Sequence, residues 1–169
     1  MIAPAPNSTV LMLLCAGIAA AAISDLRYRK IPNALVSSIA AAGLVHAAAA
    51  FGARGALASM LGAGAGVALL AWPFVRGVLG GGDVKFLAAV GAWTGAAQTV
   101  RVLLIGAILG GLLALGFLVS LTRSQRAGVR RNIASLSVPS VEQLERARAV
   151  PYGLALAGAA AWVLLSGAR

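Results

Sequence analysis

Residues 79–91 read LGGGDVKFLAAVG, an aspartate set behind three glycines and directly before an apolar run. A carboxylate next to hydrocarbon is costly, roughly 2.5 to 3.5 kcal/mol at the centre of a membrane helix. Asp83 therefore reads as a residue kept for use, provided that the run behind it is a membrane helix. The rest of the chain supports that condition. Sixty per cent of the 169 residues are hydrophobic and 11% are charged, where an ordinary soluble domain carries about a quarter charged residues. The mean hydropathy is +0.93. These values describe an integral membrane protein.

Working outward from Asp83, six apolar stretches can be drawn, at about 8–24, 33–51, 56–75, 84–100, 102–121 and 150–167. Each is near the roughly 20 residues that a spanning helix needs. The expected fold is all-α, a polytopic bundle of six transmembrane helices forming a single domain over residues 1–169. The fourth stretch is, with the first, the shortest, and a tight hairpin is expected at 98–101 to separate it from the fifth. Gly62, Gly66, Gly106 and Gly110 give small-xxx-small spacings suited to close helix contact.

The net charge of +10 raises nucleic acid as a partner, but the basic residues lie between apolar runs rather than on one folded face. No nucleic-acid partner is expected, and the bilayer accounts for them. Counted by alternate loops, one side collects Arg27, Arg29, Lys30, Arg76, Lys85, Arg123, Arg126, Arg130, Arg131, Arg146 and Arg148, and the other Arg54, Arg101 and Arg169, eleven against three of the fourteen. By the positive-inside rule the first side faces the cytosol, so both termini face outside and the basic segment at about 122–149 is cytosolic. Within it SVEQLERARA begins with Ser140 and has Gln143 three residues on, a capping-box pattern for a short surface helix. The N-terminal apolar run lacks a preceding Lys or Arg and carries its positive cluster behind it, which reads as a retained helix rather than a signal peptide.

Four residues are acidic: Asp25, Asp83, Glu142 and Glu145. The two glutamates belong to the surface helix. Asp25 falls at the cytosolic end of the first apolar stretch and Asp83 at the cytosolic start of the fourth, at matching depth. Two aspartates suffice for acid–base work on one bond, one taking a proton from water while the other gives one to a carbonyl oxygen. Gly80, Gly81 and Gly82 would allow unusual dihedrals and let an extended backbone approach Asp83 closely. A metal centre is not expected, because Cys15 and His46 are the only cysteine and histidine and neither sits with the aspartates. No cofactor is expected either, and a Ser-His-Asp set cannot be assembled.

These motifs resemble a known family. Gly80-Gly81-Gly82-Asp83 fits the G-x-G-D motif of membrane aspartic proteases, and GGGDVKFLAAVGAW is similar to the type IV prepilin leader peptidases. DLRYRKIPN, residues 25–33, is similar to that family's first motif, and PYGLALA, residues 151–157, to a late segment of it. The resemblance implies that Asp25 and Asp83 are catalytic. It implies an endopeptidase of the bacterial inner (plasma) membrane that removes the basic leader of prepilin-like substrates, of type IV or tight-adherence pili, at the cytosolic face. It is to the short, peptidase-only form, without the paired CxxC extension of bifunctional members, and N-methylation is not expected. Arg27 and Lys85 are candidates for shaping the site or contacting substrate, beside their plain roles in topology and snorkelling. Pro32 is expected to open the second helix, with Asn33 hydrogen-bonding nearby. The competing reading is a small proton-coupled transporter or channel component, which would place its carboxylates near mid-membrane in repeated halves; here they lie at one face, and no internal repeat is evident.

Overall fold

A computed structural model describes residues 8–28, 31–77, 79–120 and 152–167. Four helices occur among them: α1 (Ser8–Tyr28), α2 (Asn33–Val75), α3 (Gly81–Ser120) and α4 (Tyr152–Gly167). The segment at 122–149, with its expected surface helix, Glu142 and Glu145, lies outside the described residues.

The Ile31-Pro32 step separates α1 from α2. Proline restricts the residue before it to extended backbone, and Pro32 itself is extended (φ −59°, ψ 132°) as the residue capping α2. Its carbonyl accepts from the backbone N–H groups of Leu35 and Val36 at 3.1 and 3.2 Å. Pro32, expected to open the helix, caps it instead, and α2 begins at Asn33, where the second apolar stretch does.

Both long helices turn sharply at a glycine. Gly52 has φ 62° and ψ −146°, and Gly95 has φ 76° and ψ 168°, backbone regions that residues with a side chain scarcely reach. At Gly52 the chain folds back so tightly that a Cβ on Gly55 would strike the Ala47 carbonyl. Farther along the two arms, Gly43 lies against the Trp93 ring and Gly62 against the Gly91 backbone, although Gly43 and Gly62 would be about 28 Å apart in a straight helix. The Gly95 corner is closed by Thr99, whose hydroxyl donates to the Gly95 carbonyl at 2.8 Å. The hairpin expected at 98–101 is therefore at Gly95 instead. Gln98 and Arg101 are polar residues of this stretch, but the corner is set by the position that tolerates a positive φ.

The α2–α3 contact is the most extensive, α4 packs against α3 at Gly106 and Gly110, and α1 leans mainly on α4. Phe86, Leu87, Val90, Val102 and Leu156 form the fully buried centre. In hydrocarbon the lipid is as apolar as leucine, so helices associate by close packing rather than by expelling water. The small residues provide it: a Cβ at Gly66 would lie 2.7 Å from Ala88 Cα, one at Gly106 2.8 Å from Leu156 Cδ2, and one at Gly110 2.8 Å from the Tyr152 ring. Trp93 locks the contact with an indole N–H that donates to the Ile39 carbonyl at 2.8 Å. Its ring also stacks on His46, with centroids 5.4 Å apart, so the lone histidine is a packing residue far along α2 from the aspartates.

Residues Asn33–Val75 and Gly81–Gly116 are long and apolar enough to cross a membrane, with mean hydropathies of 1.8 and 2.1. Only 17% and 22% of their most apolar windows are buried, which separates them from the enclosed core helix of a soluble protein. Residues such as Met60, Leu61, Leu104, Ile108 and Leu112 point outward, as suits a surface in contact with lipid.

Candidate functional site

The N-terminal ends of α2, α3 and α4 and the C-terminal end of α1 meet at one end of the bundle, opposite the Gly52 and Gly95 corners. There Asp25, in the last turns of α1, and Asp83, the third residue of α3, line a single cleft of about 510 Å³. Ile31, Pro32, Asn33 and Gly80 to Gly82 complete its lining. The two aspartates, far apart in sequence, are within electrostatic reach of each other.

The local backbone explains the placement of Asp83. Its N–H donates to the Gly80 carbonyl at 3.1 Å, which winds the first turn of α3. Its carboxylate folds back over Gly80, where a Cβ would stand 3.7 Å from Oδ2. A carboxylate in this first turn is favoured by the exposed amide end of the helix. The three glycines are not a loose lead-in: Gly81 and Gly82 are already helical, and none of the three has positive φ. Gly81 serves close approach, and Gly80 and Gly82 make ordinary contacts. Gly81 abuts the Phe74 ring at 3.3 Å and Gly82 abuts Ile31 at 3.8 Å, measured from an added Cβ. Gly80 leaves the wall beside the carboxylate bare.

Asp25 rests against α4. A Cβ on Gly153 would come within 2.6 Å of Asp25 Oδ2 and 3.3 Å of its Cβ. Tyr152, half-buried beside it, is within electrostatic reach of Asp83. Neither residue was singled out from sequence, although both lie in the PYGLALA segment that carries part of the family resemblance.

The flanking basic residues are placed differently. Arg27 is exposed on α1 and does not line the cleft. Lys85 is also exposed and off the lining, but its Nζ donates to Asn33 Oδ1 at 3.0 Å and so ties the start of α3 to the cleft wall. Pro32 and Asn33, read from sequence as structural, belong to that wall. Trp72 is exposed with the Arg76 guanidinium 4.4 Å above its ring, an amphipathic pair at the same end of the bundle. Among the described basic residues, Arg27, Arg76 and Lys85 lie at the aspartate end and Arg54 and Arg101 near the opposite corners, the division drawn from the loops.

Comparison with known proteins gives a match to the model of the type IV leader peptidase family over residues 12–115. No curated protein and no solved structure matches the chain. The match takes in both Asp25 and Asp83, ends before α4, and does not favour a transporter. It covers more than half of the 169 residues, and the chain belongs to the type IV leader peptidase family, a family of proteases.

Proposed function

We propose that this chain is a membrane aspartic endopeptidase that removes the leader from prepilin-like substrates of type IV or tight-adherence pili, with Asp25 and Asp83 as its catalytic pair. The observation that carries the reading is their convergence, from separate helices, on one glycine-walled cleft. In this reading the two carboxylates, which line one cleft and interact electrostatically, share a proton rather than both ionising. The ionised member takes a proton from a bound water, whose oxygen attacks the scissile carbonyl carbon. The protonated member gives its proton to the carbonyl oxygen. Collapse of the tetrahedral intermediate breaks the C–N bond, with a proton passing to the leaving amine. No acyl-enzyme forms.

Counting each arm of the bent helices as one crossing gives six membrane helices in one domain, with both termini outside and the cleft facing the cytosol. The arm from 81 to 94 rises only about 20 Å, less than the roughly 30 Å hydrocarbon core. With its corner at the outer surface, this arm leaves Asp83 about 10 Å below the cytosolic one, with the cleft as its path to water. A substrate helix must unwind there so that its backbone can lie along Gly80, and the basic residues flanking the cleft are an inner-membrane pattern.

The test is cleavage of a prepilin-like substrate by the reconstituted protein. Asp25→Asn and Asp83→Asn should each abolish cleavage with insertion unchanged, while Glu142→Gln and Glu145→Gln retain it. Either Asp→Asn protein, folded and still cleaving at the wild-type rate, overturns the reading. Labelling of single cysteines at Ser124 from the cytosol and at Ser166 from outside, in a Cys15→Ser background, tests the orientation; exposure of both on one side contradicts it.

A further inference from the structure

We infer that Gly153, at the start of α4, is a positioning residue that seats the Asp25 carboxylate and so sets the spacing between the two aspartates. The inference rests on the aspartic reading above. It starts from a close approach that helix packing alone does not require. The nearest atoms to a Cβ on Gly153 are Oδ2, Cγ and Cβ of Asp25, at 2.6, 2.9 and 3.3 Å. The missing side chain is filled by the carboxylate itself, not by an apolar neighbour. Five residues on, Gly158 meets only Leu109 Cδ1, at 3.7 Å, an ordinary contact.

The position of Gly153 is in turn fixed by Tyr152. The Tyr152 ring lies against Gly110, where a Cβ would be 2.8 Å from Cδ2 and Cε2, and this contact holds the first turn of α4 in register on α3. Tyr152 is also within electrostatic reach of the Asp83 carboxylate. Two neighbouring residues of α4 are therefore near both aspartates, Gly153 in contact with Asp25 and Tyr152 within electrostatic reach of Asp83. On the α2 side the cleft carries Asn33, held by Lys85, and the described titratable groups at this end are the two aspartates, Tyr152 and Lys85, with Arg27, Tyr28 and Arg76 exposed farther out.

Restoring ordinary contact around a Cβ at Gly153 requires a shift of Asp25 by about 0.8 Å. A displacement near 1 Å costs on the order of 10²-fold in rate when reacting groups must be held in register. Gly153→Ala should therefore lower kcat about 10²-fold with KM changed by less than about threefold, the pattern of a lost transition-state interaction. It should also alter the separation between the acid and alkaline limbs of the pH–rate profile, because the two apparent pKa values belong to the pair and depend on its spacing. Gly158→Ala should match wild type in both.

The experiment compares these variants with Asp25→Asn and Asp83→Asn on one prepilin-like substrate. Inactive Asp→Asn proteins with a wild-type rate and pH profile for Gly153→Ala overturn the positioning role and leave the aspartic reading in place. Asp→Asn proteins that still cleave overturn both. Oxidative cross-linking provides a readout independent of activity, and of the folding of Gly153→Ala. In a Cys15→Ser background, Asp25→Cys with Gly153→Cys should form a disulfide, the Cβ separation being close to the usual range, whereas Asp25→Cys with Gly158→Cys should stay reduced. A 25/153 pair that stays reduced overturns the seat.

Discussion

Gly66 and Gly64 lie on the same arm of α2, and they should respond oppositely to the same substitution. A Cβ at Gly66 would stand 2.7 Å from both Cα and N of Ala88, whereas one at Gly64 meets nothing within 4 Å. The obstacle at Gly66 is backbone, which cannot rotate aside as a side chain can. Restoring a contact of 3.4 Å requires α2 and α3 to separate by about 0.7 Å, along an interface whose fit is the main source of association in lipid. Overpacking of this kind costs about 1 to 3 kcal/mol. Both glycines are interior to the helix, so any propensity gain from alanine, up to about 1 kcal/mol, is common to the two variants and cancels between them. Gly66→Ala should thus be less stable than Gly64→Ala by about 1 to 3 kcal/mol. Equilibrium unfolding in mixed micelles, at one detergent composition, measures the difference. Equal stabilities, or a less stable Gly64→Ala, would refute the α2–α3 packing described here.

Two further outcomes follow from the site. Lys85→Ala and Asn33→Ala should be non-additive in a double-mutant cycle on cleavage, with a coupling of about 0.5 to 1.5 kcal/mol for their hydrogen bond; additive losses would mean that the pair does not hold the cleft wall. The rate of cleavage should fall on both sides of an optimum. Above the higher apparent pKa the shared proton is lost and no acid remains, and below the lower one both carboxyls are protonated and no base remains. A rate that rises steadily to alkaline pH would point to another nucleophile.

Much of this was legible in the sequence because it is carried by residue types with few alternative uses. Asp25 and Asp83 stand out as carboxylates beside apolar runs, and GGGD and DLRYRKIPN mark the family that the match over 12–115 shows. The glycines at 62, 66, 106 and 110 were read as contact points, and each lies at one. The Gly95 corner was not legible, since a positive φ leaves no mark in composition and the polar residues Gln98 and Arg101 drew attention away from it. The role of the glycines before Asp83 was legible only in part: three in a row suggest freedom, yet two of them are helical and serve contacts with Phe74 and Ile31. Tyr152 and Gly153 were hidden for a different reason. Their importance depends on which atoms α4 brings against Asp25, a tertiary fact that spacing along the chain cannot express.

The central claim is that Asp25 and Asp83 act as one unit, and cleavage kinetics of Asp25→Asn, Asp83→Asn and the double variant test it most directly. Each single substitution should remove at least the 10²- to 10⁴-fold typical of acid–base catalysis. The double variant should be no slower than the worse of the two, as for residues that work together in one step. Losses that multiply in the double variant, or a folded single variant that cleaves at the wild-type rate, would contradict the account.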